Sequence, residues 1–214
     1  NEHYRKLAID NMEFLLNSLR EKEGPGFHHT WKNDNAKYPA FLDDYAFLIQ
    51  ALLHLQEITA DTNWLAKARS VTEFVIENFS EEGTDFFYYT PAGQPDVIIR
   101  KKEVYDGAVP SGNSVMAYNL HQLSILVGRK EWGQRSVGMM SSLGKAVVRY
   151  PTSFGNWACL LQELIVGTSE IAVVGEQFAT FLEEVIGQYI PHRVLMASNT
   201  SDKNLVSKKI DKLK

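Results

Sequence analysis

Two stretches decide the fold: Leu52-Leu53-His54-Leu55-Gln56-Glu57-Ile58-Thr59-Ala60-Asp61-Thr62-Asn63-Trp64 and Leu120-His121-Gln122-Leu123-Ser124-Ile125-Leu126-Val127-Gly128-Arg129-Lys130-Glu131-Trp132. Leu52, Leu55, Ile58 and Trp64 recur 68 residues later as Leu120, Leu123, Leu126 and Trp132. Each set runs along one helical face, crosses a short turn at Ala60-Asp61 or Gly128-Arg129, and enters a second helix. The unit is a helical hairpin with its lead-in loop. Such hairpins stack because one alone cannot bury both faces.

Apolar spacing extends the pattern outward. It predicts helices over about 2–20, 43–59, 62–79, 112–127, 131–149 and 153–166. Gly24-Pro25-Gly26 ends the first, Asp61 stands as an N-cap before the third, and Tyr150-Pro151 precedes the last. Phe27 to Pro39 reads as a polar, aromatic loop. Asp85-Phe86-Phe87-Tyr88-Tyr89-Thr90 and Pro95-Asp96-Val97-Ile98-Ile99-Arg100 read as a small β-hairpin about Pro91-Ala92-Gly93-Gln94. Ile171 to Gly175 reads as a buried strand, followed by a helix over about 176–189 and a strand from Arg193 to Met196. The expected class is mainly α: a partial (α/α)6 toroid of helical hairpins with a small β-hairpin and a terminal strand-helix-strand unit. The domain is expected over 1–197, with a basic, mobile tail of five lysines over 198–214.

Composition removes several functions. The chain has 214 residues, 22 basic and 26 acidic side chains and a net charge of −4, with 44% hydrophobic residues. That is ordinary globular composition, enough to build a core. A pI near 5.9 argues against a nucleic-acid surface made of bulk charge. No apolar run reaches the ~18 residues of a membrane span. One cysteine, Cys159, excludes an internal disulfide framework, and its apolar neighbours suggest a buried, inert thiol. Gly107 and Gly112 match no nucleotide fingerprint, so no cofactor is expected.

Antiparallel hairpins place alternate loops at one end. Residues 21–42 and 80–112 each lead into the first helix of a hairpin, so the acidic, aromatic connections share one rim. Three clusters lie there. Asp43-Asp44-Tyr45 opens the second helix, where carboxylates either cap the helix or face a cleft. Glu103, Tyr105, Asp106, Ser111 and Asn113 fall within 11 positions and suit recognition of a hydroxylated ligand, while Ser111 or Ser114 also reads as a cap. His28 and His29 with Trp31 form the third. Adjacent histidines point different ways, so no metal is expected, and His28 and Trp31 are candidates to line a polar pocket.

The motifs Phe41-Leu42-Asp43-Asp44-Tyr45-Ala46-Phe47-Leu48-Ile49, Asp85-Phe86-Phe87-Tyr88-Tyr89-Thr90 and Lys102-Glu103-Val104-Tyr105-Asp106-Gly107-Ala108-Val109-Pro110-Ser111-Gly112-Asn113-Ser114 resemble one family. These are the YyaL-type thioredoxin-domain-containing proteins, also called spermatogenesis-associated-protein-20-like. The likeness runs in order from about residue 4 to residue 196. It implies a six-hairpin α/α toroid, similar to those of N-acylglucosamine 2-epimerases and glycoside-processing enzymes, preceded in the family by a thioredoxin-like domain. This chain looks like the later part of such a toroid.

The resemblance suggests acid/base chemistry on a sugar or polyol. Asp43, Asp44, Glu103 and Asp106 are then the catalytic candidates. His28, Trp31, Tyr45, Tyr105, Ser111 and Asn113 are the binding candidates. The alternative is a non-catalytic docking module for the thioredoxin-like domain. Neither nucleic acid nor membrane is an expected partner, self-association is expected of a partial toroid, and the expected location is cytoplasmic.

Overall fold

The computed structural model describes residues 1–22, 24–95 and 97–199. Among them are seven α-helices: α1 (Glu2–Ser18), α2 (Leu42–Thr59), α3 (Thr62–Phe79), α4 (Gly112–Leu126), α5 (Lys130–Arg149), α6 (Gly155–Val166) and α7 (Phe178–Ile186). The two repeated stretches form the hairpins α2–α3 and α4–α5. Equivalent turn residues take the same conformation: Ala60 has φ 56° and Gly128 has φ 72°. An alanine in the left-handed region costs about 1 kcal/mol. At Ala60 the cost is offset locally, because its N–H donates to Gln56 O at 2.9 Å and Asp61 caps α3 by accepting from Asn63 N.

One core joins the hairpins. Leu52, Ile49, Leu65, Leu120, Leu123, Met139 and Trp157 are fully buried in it. Each such side chain contributes roughly 1.5–3 kcal/mol of transfer free energy. Helices α2 and α4 lie side by side and are buried on most of their surface, whereas α3 and α5 carry their buried residues as stripes. Polar ties cross the seams: Asn119 Nδ2 donates to Ala46 O at 2.8 Å, and Ser136 Oγ to Ala117 O at 2.7 Å. No helix among the described residues is long and apolar enough to cross a membrane.

The strands correct three expectations. The hairpin is not at 85–100 but at β1 (His28–Lys32) and β2 (Asn35–Pro39), antiparallel with Lys32 opposite Asn35. Its two-residue turn, Asn33-Asp34, has φ 50° and 56°, the primed geometry that suits strand twist. The aromatic run at 85–90 does not pair with 95–100: a single antiparallel bridge joins Phe87 to Ser80, Tyr88 N donates to Phe79 O at 2.8 Å, and side chains hold the rest. Arg135 lies 3.9 Å over the Phe87 ring and donates to Asp85 O and Phe86 O, and Arg100 donates to Thr90 O and Asn78 O. Ile98 and Ile99, read as strand residues, are exposed.

The terminal unit pairs β3 (Ser169–Val174) in parallel with β4 (Arg193–Ser198), α7 lying between them in the chain. The expected buried strand at Ile171–Gly175 is half-buried, with Ile171 and Val173 packed on Leu182 and Leu195 and Ala172 and Val174 exposed, and β4 is the buried one. Val194 and Met196 enter the helical core, and Gln56 Nε2 donates to Leu195 O at 3.2 Å. Cys159, expected to be buried, is exposed. Of the tail expected over 198–214, Ser198 ends β4 and residues 200–214 lie outside the described residues.

Candidate functional site

The first turns of α2, α4 and α6 meet at one rim. Asp43 Oδ1, in the first turn of α2, accepts the Gly112 N–H of α4 at 2.8 Å. Asp106 ties α4 to α6. Its Oδ1 accepts from Ser111 N at 2.9 Å and Ser114 Oγ at 2.7 Å, and its Oδ2 accepts from Asn156 N at 2.8 Å. The carboxylates therefore satisfy N–H groups that every helix start leaves without a partner. Ser111 is the N-cap of α4, accepting from Ser114 N. Gly112 is required by contact: a Cβ there would stand 2.3 Å from Asp43 Oδ1.

Asn113 is fully buried and holds the aromatic segment. Its Oδ1 accepts from Phe87 N at 2.9 Å, and its Nδ2 donates to Phe87 O and Glu103 O. Tyr45 is buried, and its hydroxyl accepts from Phe27 N at 2.9 Å. Burial, partly opposed by that bond, pushes its phenol up to about 12. Asp106, Ser111 and Asn113 are thus joined to the scaffold, and Tyr45 and Asn113 sit in adjacent first turns.

Asp43, Asp44 and Glu103 form a second grouping. Asp44 Oδ2 accepts from Phe41 N at 2.8 Å and pairs with His29 Nδ1 at 2.7 Å. Burial raises the Asp43 carboxyl above the usual carboxylate value. The Gly112 N–H opposes this, and the nearby charges of Asp44 and Glu103 add to it. Burial, then the same three carboxylates, raise Tyr89. Tyr89 stacks on Phe41 at 4.8 Å, and Phe41 meets His29 edge-on. Glu103 is exposed, with no hydrogen bond or ion pair from its carboxylate among the described residues.

A cavity of about 350 Å³ opens beside this group, between α1, the β1–β2 hairpin and α2. Leu15, Leu19, Phe47, Leu48 and Ala51 make its apolar wall. His28, His29, Asp43, Asp44 and Tyr45 lie at its polar end. His28 Nδ1 is buried with no hydrogen-bond partner. The remaining candidates lie outside the cavity. Trp31 packs edge-on against Phe14, and Tyr105 is exposed against Phe154. No group of three or more His, Cys, Asp or Glu side chains among the described residues is arranged to hold a metal ion.

Sequence reasoning missed two constellations. The first is His29 with Asp44, since reading adjacent histidines as poor metal ligands left His29 without a role. The second lies further along α4 and α6. Glu163 is fully buried and accepts from Tyr118 Oη, and from Thr168 Oγ1 at 2.8 Å. His121 Nε2 lies 3.4 Å and His192 Nδ1 3.6 Å from its oxygens. A glutamate, the one charged residue in the stretch Trp157-Ala158-Cys159-Leu160-Leu161-Gln162-Glu163-Leu164, was the available signal.

No protein-family model matches the chain. Among curated proteins it is similar to spermatogenesis-associated protein 20 of Rattus norvegicus, 28% identical over 186 residues, 85% of this chain and 24% of that protein. The Homo sapiens protein of the same name is 27% identical over 192 residues, 87% of this chain and 24% of its own length. An uncharacterised protein of Caenorhabditis elegans is 28% identical over 183 residues, 86% and 24% of the two lengths. The chain spans about a quarter of the length of these relatives.

Proposed function

We propose that this chain is a segment of an α/α toroid that binds a sugar or polyol at its rim, with acid/base chemistry on that ligand by Asp43, Asp44 and Glu103. The observation that carries the reading is the grouping of these three carboxylates about the Tyr89 ring at the rim, with the Asp43 carboxyl raised by burial and by its acidic neighbours. A carboxyl that keeps its proton longer than an ionised neighbour is how one site supplies both an acid and a base. The stacked Phe41 and Tyr89 rings offer a face for a pyranose ring, and Glu103 remains open to hydroxyls. Asp106, Ser111 and Asn113 then act by positioning the helix ends. The toroid geometry is supported by the shared rim of α2, α4 and α6 and by the 68-residue repeat. The test is calorimetry with a panel of neutral hexoses, N-acetylhexosamines and polyols. Saturable binding weakened about tenfold by Glu103→Gln supports the reading. No binding by any member refutes it.

A second reading has its own observation: Asp106, Ser111 and Asn113, three of the rim's polar residues, are taken up by caps and backbone ties. On that reading the chain is a non-catalytic docking module beside a thioredoxin-like domain in a protein as long as its relatives. It then self-associates or binds that domain through its apolar flanks, and light scattering that finds only monomer, with and without the domain, refutes it. A cytoplasmic location belongs to both readings, supported by a single cysteine that has no internal disulfide partner.

A further inference from the structure

The cavity between α1, the hairpin and α2 fits a sugar poorly. A sugar carries hydroxyls around its whole edge, and only its ring faces are apolar. Against Leu15, Leu19, Phe47, Leu48 and Ala51 those hydroxyls would lose water without gaining partners, at about 1–3 kcal/mol each. The cavity is two-sided: carbon at one end, carboxylates and histidine at the other. Its volume of about 350 Å³ suits a small ligand, at the low end of the roughly 300–1,000 Å³ typical of ligand pockets.

Three acceptor atoms at the polar end have no partner among the described residues. Asp43 uses Oδ1 for Gly112 and leaves Oδ2. Asp44 uses Oδ2 for Phe41 and His29 and leaves Oδ1. The Nδ1 of His28 is buried and unpaired, an acceptor when the ring proton is on Nε2. A primary ammonium group carries three donors and no acceptor. The charge also matches. Asp44 and Glu103 both act on Asp43, and no cation touches Asp43 among the described residues. The positive end of α2 amounts to about half a unit charge, less than the two carboxylates in its first turn.

We infer that this cavity binds a primary ammonium ion on an apolar body, the head between Asp43 and Asp44 and the body against Leu15, Leu19 and Leu48. The site shares its two aspartates with the sugar reading but goes beyond it, and it stands if every sugar fails to bind.

The probe is 3-phenylpropylamine, titrated by calorimetry or ligand-observed NMR at pH 7 and low salt. Its neutral counterpart, 3-phenylpropan-1-ol, is the control. The amine is expected to bind saturably and about tenfold or more tighter than the alcohol, as a charge-assisted pair requires. Asp44→Asn weakens the amine about tenfold and leaves the alcohol within about twofold. Leu48→Asn weakens both. No saturable binding of the amine, equal affinity for amine and alcohol, or amine affinity indifferent to both Asp43→Asn and Asp44→Asn overturns the inference. If the variants fail to fold by circular dichroism, the wild-type ratio of amine to alcohol decides alone. Glucose titrated beside them tests the sugar reading separately.

Discussion

Asp43 and Glu163 are two acids in one helical body with opposite fates. Both feel burial, which opposes the charged form. At Asp43 a single backbone N–H resists it, two further carboxylates reinforce it, and the carboxyl rises. At Glu163, the more buried of the two, burial is outweighed. Hydrogen bonds from His121, Tyr118 and Thr168, with the His121 charge, lower the carboxyl to about 2. Burial therefore does not decide the charge state; the number and sign of partners do. Glu163 is a finished structural knot, joining α4 and α6 to the chain entering β3 and β4. Asp43 is left with an open valence beside a cavity.

The comparison breaks most easily at Glu163. Glu163→Ala leaves Tyr118, Thr168, His121 and His192 facing an uncompensated space. It is expected to cost about 3 kcal/mol, the range for removing one partner of a buried charged pair. For a chain of this size that lowers Tm by about 9 °C. A loss below about 1 kcal/mol by urea unfolding would show that the knot is not a knot. The pH dependence follows with its sign. Because the folded carboxyl is depressed, its stabilisation is present above the ordinary value of 4.5 and is lost as pH falls toward about 2. Glu163→Ala should flatten the acid limb of the stability curve in that window.

Asp106 comes next. Asp106→Ala leaves Ser111 capping α4 but removes the acceptor from the starts of α4 and α6 together, and at about 1 kcal/mol per helix start the expected loss is about 2 kcal/mol. Asp106→Asn keeps one acceptor oxygen and should lose roughly half of that. Equal losses in the two variants would mean that charge, rather than the caps, joins these helices.

The sequence carried the helices because each has a period of its own: Leu52, Leu55 and Ile58, or Leu120, Leu123 and Leu126, announce a buried face with no reference to the rest of the chain. It did not carry the hairpin, since Asn33-Asp34 lacks the glycine that usually marks a primed turn. It misplaced the partner of Phe86-Phe87, which bridge back to Ser80-Glu81 and are covered by Arg135, some 50 residues away, rather than pairing with 95–100. At the rim the residue types were legible and their division was not. Asp43 and Asp106 both read as acids beside a helix start. Whether an acid keeps a free oxygen depends on whether Gly112, Ser114 or Asn156 arrives against it, and that is a property of packing.

The smallest effect makes the finest test of the contrast. Asp43→Asn retains an oxygen for the Gly112 N–H and removes the charge that Asp44 and Glu103 oppose. The folded carboxyl is raised, so its contribution is greatest below the unfolded value and diminishes as pH rises through the folded one. Above the folded value the wild type therefore bears a charge in an unfavourable place, and the variant does not. Asp43→Asn is expected to stabilise by about 0.5 kcal/mol at pH 7, the size of a partly screened charge contact, and to gain nothing at pH 3. Urea unfolding at the two pH values reads the difference. Destabilisation at pH 7 would mean that Asp43 is held as firmly as Glu163, that its second oxygen is engaged, and that the two acids differ only in degree.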